Sequence, residues 1–113
     1  MKESELKKIT ELCSQFPEVK LGYFFGSRAT GTSGPMSDYD FAFYLDNIFD
    51  RKEIFLLKAD LQSKLTLIFK TDAIDVVDLS SASPFLKFEA IKNRKEIYVT
   101  NDSNRVEFEK KVL

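Results

Sequence analysis

One stretch constrains this chain more than any other: Gly26-Ser27-Arg28-Ala29-Thr30-Gly31-Thr32-Ser33-Gly34-Pro35-Met36-Ser37-Asp38-Tyr39-Asp40. An apolar, strand-like run from Val19 to Phe25 stops at Gly-Ser. Ten residues of turn chemistry follow, and the chain resumes with an acid pair that opens a second strand, Asp38 to Leu45. Residues two apart in a strand face the same side, so Asp38 and Asp40 project together with Ala42 and Tyr44, while Tyr39, Phe41, Phe43 and Leu45 face the other way. Two carboxylates about 4 Å apart repel by roughly 4 kcal/mol at an effective dielectric of about 20. A cation between them removes that cost, as does solvation. Oxygen-only clusters of this kind suit Mg²⁺, which commonly takes a few carboxylates plus substrate phosphates.

Glycine directly after an apolar strand permits a sharp turn and a close approach of a ligand to the main chain. Ser27 adds a hydroxyl, and a helix starting there would direct backbone N–H groups at an anion. Arg28 adds a fixed positive charge suited to phosphate. Each piece alone is accounted for by an ordinary polar turn or a pair of solvated acids. At average residue frequencies, Gly-Ser and Asp-x-Asp at this separation arise by chance in on the order of one in a thousand chains of this length. The combination therefore says more than its parts.

A metal site needs a further acid, and Ile74-Asp75-Val76-Val77-Asp78-Leu79 offers two within a third strand, Ala73 to Leu79. Asp75, Val77 and Leu79 share one face; Ile74, Val76 and Asp78 share the other. An acid amid Val and Ile in a central strand is costly unless paired or metal-bound. Asp75, the more enclosed by sequence, is the expected site residue. Asp78, nearer the strand end, is expected to be solvated.

Around these strands the apolar spacing predicts helices from Ser4 to Phe16, capped by Ser4 and stopped by Pro17, and from Arg51 to Phe69, with Ile54, Leu57, Leu61, Leu65 and Ile68 on one stripe. Ser83-Pro84 caps a helix to about Asn93. Glu96 to Val99 reads as a short strand, and Arg105 to Leu113 as a last helix. The expected fold is α/β (α+β): one small mixed β-sheet flanked by helices, in a single domain over residues 1–113.

Composition narrows the chemistry. The chain has no His, which excludes His-based acid–base catalysis and His zinc ligation. Its net charge of −1 provides no basic excess for gripping long nucleic acid. The single cysteine, Cys13, forms no internal disulfide, and there is neither an apolar run of membrane-spanning length nor a signal-like N-terminus. A cytoplasmic protein, off the membrane, is expected. Eleven Phe residues in 113 point to a Phe-packed core, with an exposed partner patch as the other use.

Gly26-Ser27, ten residues, then Asp38-Tyr39-Asp40, with Ser37 before the first acid, resembles the minimal nucleotidyltransferases of the DNA polymerase beta-like superfamily, which include antitoxin partners of HEPN-domain toxins. Gly-Ser-Arg-Ala-Thr-Gly resembles that family's glycine-bearing turn. Ile74 to Leu79, followed by Ala82-Ser83-Pro84-Phe85-Leu86, resembles its third-acid strand and next helix. Asn93-Arg94-Lys95 departs from the pattern, standing where relatives often carry glycine. The resemblance implies that Asp38, Asp40 and Asp75 hold two Mg²⁺ ions and serve catalysis. It also implies that Gly26, Ser27 and Arg28 bind the phosphates of a nucleoside triphosphate, by default ATP. No extra acceptor-holding domain accompanies the motif, so a separate acceptor is expected: a Tyr of a HEPN toxin, adenylylated by an antitoxin. The alternative is a non-catalytic protein that neutralises such a partner by binding. The loop Thr30 to Met36 is the first expected docking site, and the segment Arg105 to Leu113 the second.

Overall fold

A computed structural model describes residues 1–31, 34, 38–46, 50–92 and 94–112. Its elements run α1 (Glu3–Ser14), β1 (Val19–Phe25), α2 (Ser27–Thr30), β2 (Tyr39–Leu45), α3 (Arg51–Phe69), β3 (Ile74–Asp78), α4 (Pro84–Lys92), β4 (Lys95–Val99) and α5 (Asp102–Val112). The four strands form one sheet in the order β3-β2-β1-β4. β1 is antiparallel to both β2 and β4, and β2 is parallel to β3, so the sheet is mixed as expected. The parallel pair is joined by α3, because parallel strands need a crossover that a tight turn cannot provide.

The alternation along β2 decides the layers. Phe41, Phe43 and Leu45 point into a core closed by α1 and α3, whose Ile9, Leu12, Cys13, Leu57, Leu61 and Leu65 are buried there, with Tyr39, Ile54, Ile68 and Phe69 packed at its edge. Ala42 and Tyr44 point to the opposite side, where Leu21, Tyr23, Phe25 and Leu79 meet Ala90 and Ile91 of α4 and Phe108 of α5. Both faces of the sheet are thus covered, one more heavily than the other. Burial pushes the Cys13 thiol up to about 12, so it acts as a small apolar residue.

Four boundaries follow from hydrogen bonds at helix ends. α1 starts a residue before Ser4: the Lys2 N–H donates to Glu5 Oε1 at 2.9 Å, and acidic Glu3 and Glu5 suit the positive end of the helix. Ser4 is therefore inside the helix and is not its cap. At α3, Asp50 Oδ1 accepts from Lys52 N–H at 2.9 Å. At α4, Ser83 Oγ accepts from Leu86 N–H at 3.2 Å, as expected. α5 begins earlier than Arg105, because Asn101 Oδ1 accepts the Ser103 N–H at 2.7 Å and caps the helix there. β3 is an edge strand and not a central one, since β1 takes β2 and β4 as its two neighbours and leaves β3 outside β2. No helix among the described residues is long and apolar enough to cross a membrane.

Candidate functional site

The strand register gathers the acids. Asp40 is the pairing partner of Phe25 in β1 on one side and of Asp75 in β3 on the other. Paired residues point to the same side of a sheet, so the Asp40 and Asp75 carboxylates stand next to each other on the α4/α5 side. The Tyr39 N–H donates to the Ala73 carbonyl at 2.8 Å, which locks the mouths of the two parallel strands in this register. Asp38 lies just before β2 and is exposed. Asp40 is half-buried. Burial pushes its carboxyl above the ordinary carboxylate range, and the Asp75 and then the Asp38 carboxylate push it the same way.

Gly26 completes this corner. Its φ is +79°, a left-handed conformation that L side chains rarely adopt, and a Cβ placed there would lie 2.2 Å from Asp40 Oδ2. The turn from β1 into α2 thus takes glycine because Asp40 occupies the space that a side chain would take. α2 is a single turn beginning at Ser27, as the sequence anticipated, with the Ala29 N–H donating to the Gly26 carbonyl at 3.1 Å.

Arg28 lies elsewhere. Its guanidinium stacks over the Tyr39 ring, 4.3 Å from the centroid, and Tyr39 in turn packs on Phe69 and Phe24 at 4.7 and 6.1 Å. These rings belong to the α1/α3 side of the sheet. Asp40, Asp75 and Gly26 are therefore brought together, with Asp38 and Ser27 adjoining them, while Arg28 rests on the reverse face.

The two acids of β3 exchange the environments expected of them. Asp75 is exposed, because β3 is an edge strand and its site face is uncovered at that point. Asp78 is buried, at 5% exposure. Its Oδ1 accepts from the Ser80 N–H at 2.9 Å and from the Ser80 hydroxyl, and its Oδ2 from the Ser81 hydroxyl at 2.8 Å. Asp78 thus caps the turn after β3. Its closeness to the strand end, which suggested solvation, is what supplies these donors.

The donor set fits a hard divalent cation: three carboxylates, with Asp40 charged against two like neighbours. Among the described residues, no three His, Cys, Asp or Glu side chains close into a metal cage.

Two features had no local signal in the sequence. One is a bonded cluster in which Glu109 Oε2 accepts from the Tyr23 hydroxyl at 2.7 Å and Oε1 from Arg94 and Arg105 at 2.6 and 3.3 Å. The other is a cavity of about 460 Å³ lined by Tyr44, Asp46, Leu79, Ser80, Pro84, Lys87, Glu107, Phe108, Lys111 and Val112. It lies on the same sheet face as Asp40 and Asp75, toward the other ends of β2 and β3. Phe108 and Val112 pack inward in the second core, as a helix closing its own domain would. Of the loop Thr30 to Met36, residues 32, 33, 35 and 36 are outside the described residues.

The chain is similar to known proteins over nearly its whole length. A family model described as polymerase beta, nucleotidyltransferase matches residues 7–103. A protein adenylyltransferase MntA from Aphanizomenon flos-aquae is 29% identical over 118 residues, covering 97% of this chain and 77% of the relative. The Shewanella oneidensis protein adenylyltransferase MntA is 30% identical over 103 residues, covering 91% and 70%. Among solved structures, a toxin–antitoxin with AMP-PNP matches with a TM-score of 0.75 at 28% identity, over 99% of this chain and 84% of that one. A tri-AMPylated Shewanella oneidensis HEPN toxin in complex with MNT antitoxin matches with a TM-score of 0.73 at 26% identity, over 99% and 83%.

Proposed function

This chain belongs to the minimal nucleotidyltransferases of the DNA polymerase beta-like superfamily, and we propose that it transfers AMP from ATP to a tyrosine hydroxyl of a HEPN-domain toxin, as that toxin's antitoxin. Residues 1–113 act in this reading as one nucleotidyltransferase domain. The observation that carries it is the corner where Asp40 meets Asp75 across the parallel pair and fills the space left open by Gly26. The relatives' names supply the reaction, and the solved likenesses supply donor and acceptor. A cytoplasmic setting, where ATP and Mg²⁺ are both at hand, suits the same reading.

Asp38, Asp40 and Asp75 would hold two Mg²⁺ ions. When bound, these neutralise phosphate charge and lower the pKa of the acceptor hydroxyl. Gly26 leaves the main chain bare beside Asp40, and Gly26 and Ser27 cradle the outer phosphates there. Asp75, exposed at the edge strand, is open to solvent and to an arriving acceptor, and takes its hydroxyl proton. The freed oxygen bonds to the α-phosphorus as the bond to pyrophosphate breaks. Catalysis of this kind is positioning and charge stabilisation, so the lack of His is no obstacle.

Incubating the HEPN partner with ATP, Mg²⁺ and this protein, then weighing it, tests the reading. Adducts of AMP on a tyrosine are expected, and Asp40→Asn should lower their yield by about a hundredfold or more, the scale of losing a principal electrostatic contact in a transition state. A partner that is inhibited yet unmodified would assign the inhibition to binding alone.

A further inference from the structure

We propose that the acceptor protein docks on the outer side of α4, over Phe85 and Phe88 and the adjoining polar cavity between α4, α5 and the far ends of β2 and β3. This rests on the transfer reading above, and says where the acceptor of that reaction sits.

Two exposed apolar surfaces compete for a partner. The outer side of α3 carries Phe55 and Leu67, 69% and 76% exposed. The outer side of α4 carries Phe85 and Phe88, 74% and 41% exposed and three residues apart, hence neighbours on the helix. The sheet separates the two surfaces: α3 covers the Phe41 side, and α4 the Ala42 side. Asp40 alternates with Ala42, and Asp75 with Val77 and Leu79, so the acids open on the α4 side. A hydroxyl delivered from α3 would have the sheet between itself and the acids.

Scale favours α4 as well. Asp75 and Leu79 are four residues apart on one face of β3, roughly 13 Å. A standard interface covers about 800 Å² of each partner, a patch roughly 30 Å across. One contact of ordinary size therefore spans both the acids and the cavity. The cavity, of about 460 Å³, has Tyr44, Leu79 and Phe108 in its lining and charges of both signs, Lys87, Lys111, Asp46 and Glu107. Pro84 lines it too, and Phe88 lies one helical turn further along α4. Exposed Phe85 and Phe88 beside a cavity whose lining is more polar than apolar give the apolar centre and polar surround of a binding hot spot. The surface fits an apolar side chain of the acceptor protein against Phe85 and Phe88, with polar residues of that protein facing the charged lining of the cavity.

Two double variants decide it: Phe85→Glu with Phe88→Glu, and Phe55→Glu with Leu67→Glu. Affinity for the partner and calorimetric affinity for Mg·ATP are measured on each. The α4 pair should weaken partner binding about tenfold or more with ATP affinity and melting temperature unchanged. The α3 pair should leave both affinities at wild-type values. Wild-type partner binding by the α4 pair overturns the proposal, as does loss of partner binding by the α3 pair. Lys87→Glu that weakens ATP binding would assign the cavity to the nucleotide and overturn it too. If the α4 pair loses the partner while the wild-type protein binds it without modifying it, the docking site stands and the transfer reading falls.

Discussion

On one side of the sheet, ring packing is continuous: Phe43 on Phe41 at 6.4 Å, Phe41 on Phe69 at 5.5 Å, and Phe69 on Tyr39 at 4.7 Å, with α1 and α3 closing over them. On the other side, a smaller apolar cluster receives α4 and α5, and α5 is held in part by polar bonds from Tyr23 and Arg94 to the 7%-exposed Glu109. The acids, the bare turn at Gly26 and the cavity all belong to this second side. The difference teaches that burial and chemistry are divided between the faces of one sheet. The closed face supplies the larger share of the buried apolar surface, and that leaves the other freer to keep like charges close together and open to solvent.

The sharpest break of this comparison would be equal sensitivity of the two cores. Phe41→Ala, at 0% exposure with ring partners on either side, should cost about 3–5 kcal/mol. Phe108→Ala borders a cavity already present and should cost about 3 kcal/mol, the low end of that range, because its site can relax or admit water. Urea denaturation of both measures the gap, and equal costs would abolish the asymmetry.

Gly26→Ala probes the corner of the site itself. The added methyl meets Asp40 Oδ2 in a left-handed backbone, so a loss of roughly 1–3 kcal/mol is expected from the strain. Transfer activity should fall far more than stability, since Asp40 must move. Full activity in this variant would show that Asp40 does not act from the position it holds here.

The smallest effect concerns charge. Asp40 has a folded pKa raised above 3.8, so its contribution to stability is complete below 3.8 and is lost as pH rises through the raised value. At neutral pH the ionised carboxylate opposes the metal-free fold. Asp40→Asn cannot ionise, so metal-free melting temperatures near pH 7 should equal or slightly exceed those of the wild type, with a flatter acid-side profile. A lower melting temperature for the variant would mean that the carboxylate makes a stabilising contact that outweighs its repulsion by Asp75 and Asp38.

Much of this division was legible in the chain. The alternation from Tyr39 to Leu45 assigned each residue of β2 to its face, and the spacing of Leu57, Leu61 and Leu65 assigned the inner stripe of α3. Phe24, Phe25, Phe41, Phe43 and Phe108 are buried, as a Phe-packed core requires, while Phe55, Phe85 and Phe88 are exposed. Placing Asp75 beside Asp40 also followed from the sequence, although the reason offered, enclosure in a central strand, was wrong.

Periodicity is a property of contiguous residues, so the sequence by itself determined which segments become helices and strands, which way their side chains alternate, and that a glycine turn precedes an acid pair. Strand order is not contiguous. It placed β3 at the edge, and so exposed Asp75 and left Asp78 to be covered by its own turn. Nor could Glu109 be known as buried, in a charged helix 86 positions from the Tyr23 hydroxyl that meets it. Nor does the sequence show that the ring of Tyr39 lies beneath the Arg28 guanidinium. Only the tertiary structure decided these, because the burial and partners of a single polar group depend on whichever distant segment packs over it.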